Sequence, residues 1–108
     1  MTPKDIFEIK ISNHLRENPE ISAGVNATYL FEVSGDQGGQ WHITLNGSGG
    51  KVQAGSFENP NCIIMIKDQD LVNLVEGKLN PQMAFMTGKL RVKGDIALAL
   101  KLGSILKT

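Results

Sequence analysis

Between Ala27 and Leu45 the chain repeatedly sets large apolar side chains two residues apart, and only an extended strand gathers such a series on one side. Ala27, Tyr29, Phe31 and Val33 share one face, with Thr28, Glu32 and Ser34 on the other. Trp41, Ile43 and Leu45 then alternate with His42, Thr44 and Asn46. Gly35-Asp36-Gln37-Gly38-Gly39 interrupts the two series, and Asn46-Gly47 turns the chain after the second. Val52 and Ala54, set between Lys51, Gln53 and Gly55, read as a weaker third strand, so residues 26–56 predict an antiparallel meander. Beyond Pro60, Cys62-Ile63-Ile64-Met65-Ile66 is a continuous apolar run rich in β-branched residues, the pattern of a strand buried on both faces.

Helix signals occupy the remaining segments. Thr2-Pro3-Lys4-Asp5 supplies a capping hydroxyl, a proline in the first turn and a carboxylate three residues after the cap. Ile6, Phe7, Ile11 and Leu15 form an apolar stripe, and Asn18-Pro19 stops it. Phe7, Ile9 and Ile11 also alternate with Glu8 and Lys10, a local strand pattern that the start signals outweigh. Asp68 or Asp70 can cap a helix carrying Leu71, Val72, Leu74 and Val75, with Gly77 placed to end it in the left-handed conformation. Asn80-Pro81 starts another helix through Met86, stopped at Gly88. Leu90 and Val92 alternate with Lys89, Arg91 and Lys93 as a last strand, and Gly94-Asp95 leads into a C-terminal helix. The predicted class is α+β: a mostly antiparallel sheet with helices over one face, in one domain spanning residues 1–108.

A chain of 108 residues buries about two-thirds of its unfolded surface, enough to fold without staples. Eleven basic residues balance eleven acidic ones, which removes the broad electrostatic argument for a nucleic-acid partner. The balance is uneven along the chain. Residues 1–77 hold five Lys or Arg against ten Asp or Glu, and residues 78–108 hold six against one. Cys62, the only cysteine, excludes an internal disulfide and fits a reducing compartment. Residues 1–10 lack the apolar core of a secretory signal, and the longest apolar stretch, Ile96 to Leu100, is far below the ~20 residues that span a bilayer. A cytoplasmic location is the expectation, and Leu106-Lys107-Thr108 does not match a peroxisomal address.

Ile96-Ala97-Leu98-Ala99-Leu100-Lys101-Leu102 carries one polar residue in seven, so on a helix its large side chains spread around most of the circumference. One side can pack on the sheet; another then needs a ligand, a partner chain or a further helix. Met65, Met83 and Met86 add adaptable apolar surface, although methionine is also ordinary core filler. Catalytic constellations are missing. His14 and His42 lie on separate elements, with no spacing for a metal site. Cys62 lies within a strand, and none of Ser34, Ser48 or Ser56 sits in a nucleophile turn. Gly47-Ser48-Gly49-Gly50-Lys51 lacks the spacing and following hydroxyl of a phosphate loop, so turns explain its glycines. Neither metal nor cofactor is expected. Lys89, Arg91 and Lys93 line one side of a strand, either as a solvated face or as an attraction for anionic headgroups or a phosphate-bearing ligand.

The stretch from Asn80-Pro81-Gln82-Met83-Ala84-Phe85 through Gly88-Lys89-Leu90 and Gly94-Asp95 to Leu98-Ala99-Leu100-Lys101-Leu102 resembles the sterol carrier protein type 2 domain. Trp41, Pro60-Asn61-Cys62 and Leu79 extend the likeness over nearly the whole chain. The resemblance implies a five-stranded sheet and helices enclosing an apolar tunnel for fatty acids, fatty acyl thioesters, sterols or isoprenoid lipids, in a stand-alone version of the domain. It makes Phe85, Met86, Ile96, Leu100 and Leu102 candidate tunnel walls, with Phe31, Ile43, Leu74, Met83 and Leu98 as further contacts. Lys89 and Arg91 become candidates for the polar head. The function so implied is non-enzymatic lipid binding, transfer or presentation by a monomer or weak dimer, with a membrane surface or acceptor protein as further partner. An interaction or dimerisation module serving a lipid-modifying pathway is the alternative. An acyl-thioester enzyme would need a catalytic group that the residues do not provide.

Overall fold

The computed structural model describes residues 1–106 apart from Ser48. The readings that touched Ser48, Lys107 and Thr108 therefore lie outside the described residues. The alternating segments become β1 (Ala27–Ser34), β2 (Gly39–Asn46), β3 (Gly49–Ala54), β4 (Cys62–Lys67) and β5 (Leu90–Gly94), joined in one sheet in the order β3-β2-β1-β4-β5. Three of the four pairings are antiparallel. The exception is β1 with β4, which run parallel with Tyr29 opposite Cys62 and Phe31 opposite Ile64.

Register assigns the faces. Phe31 lies opposite both Trp41 and Ile64, and Ile64 opposite Val92, so one face carries a continuous apolar band across the sheet. The first helical segment packs on this band. It runs through α1 (Pro3–Asp5), a π-helical stretch (Ile6–Ile11) and α2 (Ser12–Glu17). Thr2 Oγ1 accepts the Asp5 amide at 3.2 Å and Asp5 answers the Thr2 amide at 3.3 Å, the reciprocal cap expected from the sequence. Phe7 stacks on Trp41 with ring centroids 4.9 Å apart and meets Phe31 edge-on at the same distance. The Trp41 indole N–H donates to Glu8 at 3.1 Å. Leu71 and Leu74 of α3 (Asp68–Val75) and Ala84 of α4 (Pro81–Met86) join the same core.

Three expectations need correction. The run 62–66 is buried on one side only: Cys62, Ile64 and Ile66 are buried, while Ile63 and Met65 are half-buried. Neither Asp68 nor Asp70 caps α3. Lys67 occupies the cap position, and the Asp68 carboxylate instead accepts the Gln37 and Gln69 amides at 3.0 and 2.8 Å, tying α3 to the β1–β2 turn. The single C-terminal helix is two, α5 (Ile96–Ala99) and α6 (Leu102–Leu106). The Lys101 amide reaches back only to Leu98, a tight turn that rotates Leu102, Ile105 and Leu106 into the core and leaves Leu100 82% exposed. One straight helix could not bury an apolar circumference on a single sheet face; breaking it buries half.

Candidate functional site: an apolar cavity beside the edge strand

The break in the C-terminal helix opens a cavity of about 580 Å³ over the β5 end of the sheet. Leu90 and Val92 form its sheet side. Pro81, Phe85 and Met86 of α4 form one wall, and Ile96, Ala99, Leu100, Leu102 and Gly103 of α5 and α6 form the other. Asn80 and Gln82 are its polar lining residues.

Local signals set each wall. Asn80 Oδ1 accepts the Gln82 and Met83 amides at 2.8 and 3.3 Å, with Pro81 in the first turn, and this starts α4. Gly88, at φ 79°, then reverses the chain into β5. Asp95 Oδ1 accepts the Ala97 and Leu98 amides at 2.9 and 3.3 Å to start α5. Gly94 before it has φ 99°, and any Cβ there would run into the Asn61 carbonyl, so both conformation and space demand glycine. The Tyr29 hydroxyl donates to the Leu98 carbonyl at 2.7 Å and pins α5 to the middle of the sheet.

Burial, with Cys62 and Asp95 nearby, pushes the Tyr29 phenol up to about 12; burial, with Asp95 nearby, pushes the Cys62 thiol up to about 11. A nucleophilic role for Cys62 is poorly served by such a thiol. Each histidine has a neighbour of its own: His14 Nε2 lies 2.8 Å from the Ser104 carbonyl, and His42 sits between the Gly55 carbonyl and Gln53. Among the described residues no group of three or more His, Cys, Asp or Glu is arranged to hold a metal ion, and no helix is long and apolar enough to cross a membrane.

Of the predicted wall residues, the cavity brings together Phe85, Met86, Ile96, Leu100 and Leu102. Phe31, Ile43 and Leu74 instead belong to the buried core, the first two fully enclosed. Met83 is 54% exposed and Leu98 half-buried, and neither lines the cavity. Lys89 and Arg91 do not line it either. Strand alternation turns Leu90 and Val92 toward the cavity, so Arg91, in register with Met65, belongs to the opposite face. Sequence reasoning missed Asn80, Pro81 and Gln82 at the start of α4, and Leu90, Val92, Ala99 and Gly103. Leu90 and Val92 were signalled by strand alternation, Ala99 and Gly103 by small side chains four residues apart in an otherwise bulky segment.

The sequence pattern of the SCP-2 sterol transfer family matches residues 10–107. Hydroxysteroid dehydrogenase-like protein 2 of Rattus norvegicus is 42% identical over 88 residues, covering 81% of this chain and 17% of the rat protein. The chain thus spans about a fifth of the length of such curated relatives. Palmitated SCP2L2 from Aedes aegypti superposes with a TM-score of 0.83 at 24% identity, over 100% of this chain and 96% of that one, and shows the same fold. The sterol carrier protein domain 2 of Helicoverpa armigera gives 0.72 at 32% identity, over 97% and 89%. Sheet order, helical layer and a match running almost from end to end agree: the chain belongs to the SCP-2 sterol transfer family.

Proposed function

We propose that this chain binds the apolar part of a lipid in the cavity between α4, β5, α5 and α6 and carries or presents it without changing it covalently. The observation that carries the reading is the cavity. Its volume of about 580 Å³ falls within the range of about 300–1,000 Å³ usual for small-molecule sites, and ten of its twelve lining residues are Leu, Val, Ile, Ala, Met, Phe, Pro or Gly. A long acyl or isoprenoid chain contributes up to about 0.8 kcal/mol per buried CH₂ before entropic costs, so useful affinity needs no specific polar partner. Broad selectivity follows, governed by chain length rather than headgroup. The palmitated state of the Aedes relative and the family's sterol-transfer description support a lipid cargo. Carriage rather than catalysis fits the partnered histidines and the raised thiol of Cys62.

The test is displacement from delipidated protein. Fluorescently labelled stearate should bind saturably, long-chain fatty acids should displace it and short-chain acids should not. Absence of saturable binding would sink the reading.

A further inference from the structure

Among the described residues eight large apolar side chains are conspicuously exposed, and five of them, Met83, Phe85, Met86, Ile96 and Leu100, lie within residues 83–100, all but Met83 lining the cavity. Soluble surfaces do not ordinarily concentrate apolar side chains in this way. The same stretch carries exposed cations. Lys89, Arg91, Lys93 and Lys101 are exposed, whereas the two ion pairs found among the described residues are Lys4 with Glu8 and Lys78 with Glu76. Asp95, the one Asp or Glu among residues 78–108, is exposed but engaged as the cap of α5. Across the outer face of the sheet Arg91 stands opposite Met65 and Lys93 opposite Ile63. Glu32, one strand further in, accepts the Gln40 amide.

We propose that the protein docks on anionic lipid bilayers through the β5 edge, Lys89, Arg91, Lys93 and Lys101 meeting headgroup phosphates while Phe85, Met86 and Leu100 enter the interface. β5 is the last strand of the sheet. Its inward residues reach the cavity and its outward residues are cationic, so one edge presents both chemistries side by side. Negative headgroups complement the unpaired cations, each adding attraction near the surface. The exposed apolar side chains are dispersed over α4, α5 and Leu100 and include two adaptable methionines, which suits a fluid interface better than the fixed relief of a protein partner. Docking in this orientation would face the cavity toward the bilayer; its use for lipid exchange rests on the function proposed above.

The test is cosedimentation of the delipidated chain with vesicles, run beside vesicle-free binding of labelled stearate. Wild-type protein should partition onto phosphatidylglycerol-containing vesicles and hardly at all onto pure phosphatidylcholine. High salt should release it. Lys93→Glu with Lys101→Glu, neither of which lines the cavity, should weaken partitioning by about tenfold or more while stearate binding in solution stays unchanged. Met86→Ser should weaken vesicle binding at low salt as well. Equal partitioning onto both vesicle types, or none onto either, would overturn the docking proposal whatever the stearate result, and the latter outcome would give the patch to an acidic protein surface. Failure of stearate binding alone strikes the cargo reading and leaves the sedimentation result to judge docking by itself.

Discussion

At the β1–β2–β3 end of the sheet the helical layer fills its space, whereas at the β5 end it does not. Phe7, Ile11 and Leu15 are at most 2% exposed against the sheet. Phe85, Met86, Ile96 and Leu100 are each more than half exposed around a cavity. The two regions use the same kinds of side chain and differ in how the helices are cut. Residues 3–17 run as one helical segment across the inner face, while α4, α5 and α6 are six, four and five residues long. These short helices do not close over the β5 edge, and they leave apolar surface exposed around the cavity.

The contrast can be broken most sharply at Phe7. Phe7→Ala removes the ring that stacks on Trp41 and meets Phe31, and should cost about 3–5 kcal/mol in denaturant unfolding. A loss below about 1 kcal/mol would mean that the filled end is not filled. Gly94→Ala forces a side chain into a left-handed backbone and against the Asn61 carbonyl. It should cost about 1–3 kcal/mol by thermal unfolding, with lipid binding weakened because β5 hands the chain to α5 there. Tyr29→Phe deletes the tether to the Leu98 carbonyl and should cost about 1 kcal/mol, with faster amide exchange in α5 than in residues 3–17. At the open end Leu100→Ala should change stability by no more than about 0.5 kcal/mol while lowering affinity for labelled stearate.

Titration separates the first helix from the strands beside α5 as well. The Lys4 ammonium, and after it the Trp41 indole, hold the Glu8 carboxyl below its ordinary value of 4.5. That contribution is complete above the ordinary value and is lost as pH falls through the depressed one, so acid should loosen the first helix. Cys62 and Tyr29 behave oppositely. Their ionisation is favoured in the unfolded chain from about 9 and 10, against about 11 and 12 in the fold, so stability should decline with rising pH across that window. Unfolding midpoints measured from acid to alkali check both limbs; an unchanged midpoint above pH 10 would contradict the burial of the Tyr29 phenol.

Much of this contrast was legible in the residues. Strand alternation gave the sheet its faces, Thr2-Pro3-Lys4-Asp5 declared its reciprocal cap, and Gly77 and Gly88 adopt the left-handed backbone their places at helix ends imply, both at φ 79°. The surplus of apolar side chains after Asp95 pointed to the end of the molecule where the cavity lies. What alternation could not say is which part of a face lies under a closed layer. Phe31 and Ile43 point inward as the cavity residues do, yet they sit under the first helix and are core. Met83 shows the helical equivalent: on α4, Gln82, Phe85 and Met86 face the cavity, and Met83, between them in sequence, points away. The turn at Leu100–Lys101 had no glycine or proline to announce it, because it arises from the demand to bury Leu102, Ile105 and Leu106 together. Arg91, by contrast, could have been placed from its alternation with Leu90 and Val92, which by itself turns it from the cavity.

The lone tryptophan and the methyl-rich cavity allow the central claim to be read in one titration. Trp41 is 6% exposed within the filled end, far from the cavity lining. Unlabelled palmitate added to delipidated protein, followed by methyl and backbone NMR shifts, should perturb Leu90, Val92, Ile96, Ala99, Leu100 and Leu102 while the Trp41 indole signal stays put. Shifts centred on Phe7, Phe31 and Trp41, with the β5 end unmoved, would place the guest elsewhere and contradict the account.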